Sequence, residues 1–283
     1  MENSDFSFVF FGTPELVTTI LDELSKEGLK PLLIITSPDK PKGRKMLLAP
    51  PPAKIWAQIN NIPFLQPEKI DVEFIENLKK YNFDIGIVVA YGKILPENLL
   101  NLPKFGMFNV HYSLLPKYRG ATPVESAILN GEKETGVVIQ KMVFKLDEGP
   151  IVAEEKISID EKETALRLRE RLNNIGKKLL TNLIKEVLEK KVIYQEQNHL
   201  EATYTKKIKK EDGQLDLGDN PQINYRKFKA YYGSIGTSFF VKKNSKEIRL
   251  KIIDAEFTHG EFRVLRIIPE GGREMNYEDF LRG

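Results

Sequence analysis

Short apolar runs alternate with amphipathic stretches over much of the chain. Runs typical of buried strands lie at 6–11, 31–36, 84–90 and 107–111. Stretches with helical spacing of apolar residues lie near 15–27, 53–60, 71–80 and 122–131. Alternating strands and helices are typical of a doubly wound sheet whose strands are mostly parallel. The pattern predicts a Rossmann-like α/β domain.

The pattern changes towards the C-terminus. Two β-rich runs, 135–143 and 150–159, predict an antiparallel pair, and a long amphipathic helix is predicted over about 164–190. Beyond about Tyr204 the chain has short β-like runs broken by glycine and charge, which predict a small β-barrel of OB-like type. The predicted organisation is a Rossmann-like domain over 1–188, a linker over 189–205 and a β-barrel domain over 206–283.

Composition excludes several kinds of chemistry. The 283 residues are 41% hydrophobic and 29% charged with a formal net charge of +3, as in an ordinary globular protein. There is no cysteine, so disulfides, thiol nucleophiles and thiolate zinc sites are excluded. The three histidines are far apart in sequence, so we expect no metal site. Neither a signal peptide nor a membrane span is predicted, and we expect a cytoplasmic protein.

The first βα turn reads "FFGTPE", where a dinucleotide-binding fold would carry its phosphate loop. Thr13 is predicted as the N-cap of the following helix, with Pro14 at the first helical position. The turn has no G-x-G-x-x-G, and the chain has no G-x-x-x-x-G-K-[ST]. The sequence therefore favours a Rossmann-like fold without dinucleotide binding.

The stretch "NVHYSLLP" (109–116) holds the main candidate for chemistry. In a strand, Asn109 and His111 project from the same face, near the carboxyl end where open α/β sheets bind ligands. An amide and an imidazole side by side can donate hydrogen bonds to one developing oxyanion. A histidine buried only for packing is the alternative interpretation. The irregular "SLLP" segment that follows favours a binding site.

The segment "KLDEGPI" holds a carboxylate in a predicted turn between two strands. Asp147 forms the turn in the simplest interpretation, because aspartate is common there. In the functional interpretation its carboxylate reaches His111, orients the ring and favours its charged form.

Four segments together resemble a known superfamily. They are "FFGTPE", "VVAYGKILP" (88–96), "NVHYSLLPKYRGATPVESAILNGEKETGV" (109–137) and "LDEGPI" (146–151). They are similar to the 10-formyltetrahydrofolate-dependent formyltransferases. The stretches 37–58, 202–217 and 269–283 narrow the resemblance to the enzymes that formylate initiator methionyl-tRNA.

The resemblance implies a co-substrate and a set of catalytic roles. 10-Formyltetrahydrofolate is the expected formyl donor, and no metal is implied. Asn109 and His111 are expected to stabilise the oxyanion, with Asp147 holding His111 protonated and aligned. The segment expected to contact folate comprises Ser113, Leu114, Leu115 and Pro116, with 94–96 beside the pterin.

Basic residues mark two expected tRNA-binding regions. The resemblance implies that the loop 37–58, with Lys42, Arg44 and Lys45, enters the acceptor stem. Residues 204–251 hold twelve Lys and Arg against five Asp and Glu, and Lys206 and Lys207 begin the densest run. Solvated surface charge is the alternative interpretation of both regions. A basic excess in a β-rich domain suits sequence-independent phosphate contact.

Two other functions fit parts of the sequence. A formyltransferase that acts on an amino-sugar nucleotide would share Asn109, His111 and Asp147 but would not need the basic regions. A tRNA-binding protein with an inert formyltransferase domain would not need those three side chains. The family implies a monomer. The chain departs from the family pattern at Tyr112, which predicts a narrower crevice mouth, and at Glu148 and Pro150.

Overall fold

The computed structural model describes residues 6–43, 46–243 and 246–282. They form two compact units that are interleaved in sequence. The first extends to Ala121 and includes Gly136–Lys156 and Glu170–Tyr204. The second comprises Thr122–Thr135, Ile157–Arg169 and the chain from Thr205 onward. The division at 188 with a linker over 189–205 stays a prediction.

Thirteen strands and eight α-helices form the regular structure of the described residues. The strands are β1 (Phe8–Gly12), β2 (Leu33–Ile35), β3 (Lys40–Lys42), β4 (Leu47–Ala49), β5 (Phe64–Leu65), β6 (Ile85–Val89), β7 (Met107–His111), β8 (Glu134–Lys141), β9 (Ile151–Ser158), β10 (Thr237–Lys243), β11 (Lys246–Thr258), β12 (Glu261–Pro269) and β13 (Met275–Asn276). The helices are α1 (Glu15–Lys26), α2 (Pro52–Ile59), α3 (Val72–Lys79), α4 (Glu97–Leu100), α5 (Pro123–Asn130), α6 (Ala165–Leu188), α7 (Pro221–Tyr231) and α8 (Tyr277–Arg282). Among the residues that the structure describes, no helix is long and apolar enough to cross a membrane.

The large sheet is mostly parallel, as the sequence predicts. Its strand order is β5-β2-β1-β6-β7-β8-β9, and the first five of these strands pair in parallel. Strand β8 runs antiparallel to β7. Strands β1, β2 and β6 consist of buried residues throughout, because helices cover a doubly wound sheet on both faces.

The carboxyl ends of the parallel strands meet at one edge of this sheet. Strand β1 ends at Gly12, β6 at Val89 and β7 at His111, so the segments that follow them share this edge. The prediction that Thr13 caps α1 was wrong. Pro14 is the N-cap residue, and the Thr13 hydroxyl shares a 3.0 Å hydrogen bond with the Ser37 hydroxyl instead.

The second unit contains a separate antiparallel sheet of four strands, ordered β10-β11-β12-β13. Helix α7 was not predicted, although Asn220 and Pro221 are an N-cap and an N1 residue of the usual kind. Its aromatic residues pack on the sheet, and Tyr225 stacks on Phe257 with ring centroids 5.7 Å apart. This aromatic packing gives the second unit a core of its own.

Candidate active site

Asn109 and His111 project from the same face of β7, as the strand alternation predicts. His111 ends the strand and is buried, whereas Asn109 is partly exposed. The antiparallel register places Gln140 of β8 opposite Asn109, and Val138 opposite His111. The Asn109 amide makes no hydrogen bond to any described residue, so its N–H groups are available to donate to a ligand.

The two ring nitrogens of His111 have different neighbours. Nε2 lies 3.0 Å from the carbonyl oxygen of Tyr118. A carbonyl only accepts, so Nε2 carries a proton and donates it. Nδ1 lies 3.8 Å from Oδ2 of Asp147, an ion-pair distance when the ring is charged. Nδ1 is therefore the ring nitrogen that carries the lone pair of the neutral ring, and it faces the Asp147 carboxylate.

Burial lowers the pKa of His111 below its ordinary value. The Asp147 carboxylate and the Tyr118 carbonyl both favour the charged ring, but their effect is smaller than that of burial. The neutral form, with its proton on Nε2, is therefore favoured in the free protein. This direction is opposite to the expectation that Asp147 keeps His111 protonated.

The turn that carries Asp147 folds tightly back over β8. Asp147 has a φ of 51°, in the left-handed region, which aspartate tolerates better than most residues. A Cβ atom on Gly149 would lie 1.7 Å from the Lys141 carbonyl oxygen. Only glycine fits there, which explains the Leu-Asp-x-Gly pattern in physical terms. The close return of the chain brings the Asp147 carboxylate to the face of β7 that carries His111.

Both carboxylate oxygens of Asp147 accept a hydrogen bond. The Gly120 backbone N–H donates to Oδ2 at 2.7 Å, and the Gln140 side-chain amide donates to Oδ1 at 2.8 Å. Sequence reasoning did not identify Gln140. A single amide directly after three apolar residues of a strand, 137–139, was the signal that could have found it.

A buried arginine helps to hold the Asp147 turn in place. Arg119 is 1% exposed and donates to the Gln197 side-chain oxygen at 2.7 Å. Gln197 in turn donates to the carbonyl oxygens of Asp147 and Gly149, at 2.9 and 2.7 Å. Glu148 lies 3.3 Å from the Arg119 guanidinium. Gln197 belongs to the segment that was predicted as a linker, so part of that segment supports the site.

The four residues of the "SLLP" segment have different environments. Ser113 is fully buried and donates to the Lys117 carbonyl at 2.7 Å, and Leu115 packs in an apolar cluster. Leu114 and Pro116 are partly exposed. Any contact of Ser113 or Leu115 with a ligand would therefore use the main chain, whereas Leu114 and Pro116 have accessible side chains.

Apolar side chains on the neighbouring loops are exposed. Ile94 is 84% exposed, Phe144 63% and Leu146 61%. Side chains this exposed do not serve to pack a core. Such residues suit the flat face of a heterocycle. No group of three or more His, Asp or Glu residues that could hold a metal ion is present in the described ranges.

Tyr112 does not narrow the crevice. Its side chain is buried, and its hydroxyl donates to Asn173 Oδ1 on α6 at 2.8 Å. The expectation of a narrower mouth was wrong, because Tyr112 follows the end of β7 and its buried side chain is bonded to α6. The Glu148 departure is explained by its ion pair with Arg119. Nothing in the structure explains Pro150.

The basic loop 37–58 contains a short hairpin of β3 and β4. Lys42 is exposed on it, with the apolar Leu47 and Leu48 opposite, 67% and 72% exposed. Arg44 and Lys45 lie outside the described residues. Asp39 anchors the hairpin base, since the Lys54 ammonium at 2.8 Å and the Gln66 amide at 2.7 Å both donate to it. These bonds lower the pKa of Asp39.

In the second unit, Lys206 and Lys207 are both exposed. The Lys206 carbonyl accepts a 2.9 Å hydrogen bond from the Thr122 hydroxyl, so the main chain is fixed while the ammonium group is free to reach solvent. The basic run is therefore accessible to a polyanion.

Comparisons with known proteins show the family to which the chain belongs. A family model described as formyl transferase matches residues 6–184. This chain belongs to the formyl transferase family. It is 42% identical over 243 residues to the methionyl-tRNA formyltransferase of Thermotoga neapolitana, covering 86% of this chain and 77% of that one. The methionyl-tRNA formyltransferase of Thermodesulfovibrio yellowstonii is 37% identical over 293 residues, covering 97% and 95%.

Solved formyltransferases share the fold at lower identity. The N-formyltransferase of Helicobacter canadensis, in complex with folinic acid and dTDP-3-aminofucose, superimposes with a TM-score of 0.66 at 17% identity. The match covers 96% of this chain and 100% of that one. At this identity the likeness is one of fold. The narrower similarity to methionyl-tRNA formyltransferases comes from sequence.

Proposed function

We propose that this protein transfers the formyl group of 10-formyltetrahydrofolate to the α-amino group of methionine on initiator methionyl-tRNA. The observation that carries the proposal is the meeting of Asn109, His111 and Asp147 at the carboxyl edge of β7. Relatives with this activity in their names match 86% to 97% of the chain, which supports the substrate assignment.

Asn109 and His111 act on the formyl oxygen in this proposal. The free Asn109 amide donates to the oxygen as negative charge develops when the amine attacks the formyl carbon. Nδ1 of His111 approaches from the same strand face once it carries a proton. Fixed donors of this kind each contribute about 100- to 1,000-fold in rate.

His111 also provides a path for the proton. The neutral ring with its proton on Nε2 leaves the Nδ1 lone pair free, so Nδ1 accepts the proton that the attacking amine loses. The ring is then a cation that is stabilised by Asp147 and by the Tyr118 carbonyl. The same proton passes to the folate nitrogen as its bond to the formyl carbon breaks, and His111 returns to its neutral form.

Folate contacts are assigned to the segments at the carboxyl edge. Leu114 and Pro116 have side chains accessible to the donor, and Ser113 and Leu115 supply main-chain groups. Ile94 and the exposed apolar residues of the Asp147 turn are placed to cover the heterocycle.

Two basic regions are proposed to bind the tRNA. Lys42, with Arg44 and Lys45, would enter the acceptor stem from the hairpin in the first unit. Lys206 and Lys207 would contact phosphates from the second unit, whose antiparallel sheet we propose to be part of an OB-like barrel. The protein is proposed to act as a monomer in the cytoplasm, where charged tRNA is used.

One assay separates this function from its alternatives. The protein is incubated with labelled formyl donor and either charged initiator tRNA, uncharged tRNA or an amino-sugar nucleotide. Label on the charged tRNA alone is expected. Label on the amino-sugar nucleotide would indicate that this protein formylates an amino sugar instead. Binding of tRNA without any transfer of label would indicate an inert formyltransferase domain.

A further inference from the structure

Gln140 lies beside the reaction centre without being one of its expected members. It is on β8, directly across from Asn109 in the antiparallel register, and is 1% exposed. Its side-chain nitrogen donates to Oδ1 of Asp147 at 2.8 Å. Gln140 therefore touches the carboxylate from the strand next to β7.

The other end of the same amide has no partner. Oε1 of Gln140 is buried, and none of the described residues donates a hydrogen bond to it. A buried oxygen without a donor destabilises a fold, and an apolar side chain of the same length would avoid that cost. Stability alone therefore does not explain a glutamine at this position. The hydrogen bond that its side-chain N–H group donates to Asp147 does explain it.

The two donors to Asp147 come from different segments and fix the plane of the carboxylate. Gly120 donates to Oδ2, which also faces Nδ1 of His111, and Gln140 donates to Oδ1. With only the Gly120 donor, the carboxylate could rotate about its last bond, and Oδ2 would leave its place opposite His111.

We propose that Gln140 is a positioning residue that holds the Asp147 carboxylate towards His111 for formyl transfer. The proposal rests on the proposed function of the site. Displacing a reacting group by about 1 Å can cost on the order of 100-fold in rate, so a loss of about tenfold to 100-fold is expected without this donor.

The test compares Gln140→Met and Gln140→Leu with wild type in formylation of charged initiator tRNA. Methionine keeps the length of the side chain and removes the donor, and leucine removes the donor with a shorter apolar side chain. Both variants should lose turnover while the KM values for folate and tRNA stay within about twofold of wild type. Thr181→Val is the matched control. It also replaces a buried polar side chain with an apolar one, but on α6, and it should keep full turnover.

An NMR titration supplies the second readout. The C2–H signal of His111 should titrate differently from wild type in both Gln140 variants. Wild-type turnover in either variant, or a slow variant with an unchanged His111 titration, would overturn the proposal. Absence of transfer by the wild-type protein would instead refute the proposed function itself.

Discussion

His111 Nδ1 lies 3.8 Å from Asp147 Oδ2, while Nε2 of the same ring is held 3.0 Å from the Tyr118 carbonyl. One nitrogen is thus anchored to the main chain, and the other is left for proton chemistry beside a carboxylate. Burial favours the neutral ring, and in the proposed mechanism the ring becomes charged only as it takes a proton from the attacking amine. The proposed mechanism therefore uses all three features of the site: the histidine, the carboxylate and the tight turn.

Asp147→Asn should test the role of the carboxylate charge. The amide has nearly the same shape but cannot stabilise a charged His111 ring, so turnover should fall by about 100-fold or more. Single-turnover rates with saturating folate and charged tRNA measure the effect. A variant that keeps more than half of the wild-type rate would show that the charge on Asp147 is not needed.

The pH dependence of stability should report the buried His111. Its folded pKa is lowered, so below about pH 6.5 the unfolded chain binds a proton that the folded protein does not. Stability from this group is therefore present above about pH 6.5 and is lost as the pH falls. Thermal melts from about pH 7.5 down to about pH 5.5, which bracket the ordinary histidine pKa, should show a smaller decrease for His111→Asn than for wild type. Equal decreases would contradict the assigned direction.

Gly149→Ala should disrupt the Asp147 turn. The new Cβ would meet the Lys141 carbonyl oxygen at 1.7 Å, so the backbone has to move, and a loss of about 1–3 kcal/mol in unfolding free energy is expected together with lost activity. Gly218→Ala is the control, because its Cβ would meet only the Asp216 side chain at 3.2 Å. Urea unfolding of both variants checks the difference, and equal stability of the two would count against the steric argument.

Arg44→Ala and Lys42→Ala should weaken tRNA binding and leave folate binding unchanged. Each removes one expected phosphate contact, so the slope of log affinity against log salt should fall by about one unit. The apparent KM for tRNA, measured at several salt concentrations, gives this slope. An unchanged dependence on tRNA concentration in both variants would remove the hairpin from the tRNA-binding surface.

The sequence predicts the sheet and one half of the site for a simple physical reason. Strand β7 lies where the apolar run 107–111 places it, and period-two alternation puts Asn109 and His111 on one face. Tyr112 follows the end of β7 and bonds to Asn173, which lies far along the chain, so its orientation could not be derived from the strand alternation.

The other half of the site depends on contacts that the sequence pattern does not encode. Tyr118 acts through its carbonyl oxygen, and any residue could supply that group. Asp147 reaches His111 because Gly149 lets the turn close on Lys141, a distance set by the folded backbone. Gln197 lies far along the chain and enters the site only through tertiary packing.

Single-turnover formyl transfer by Asn109→Ala and His111→Ala is the most direct test of the account. With charged initiator tRNA and 10-formyltetrahydrofolate, each variant should be slower than wild type by about 100- to 1,000-fold, because each loses one group that stabilises the developing oxyanion. Affinity for tRNA and the thermal melting profile near neutral pH should stay close to wild type. Near-normal transfer rates in both variants would contradict the assignment of this site.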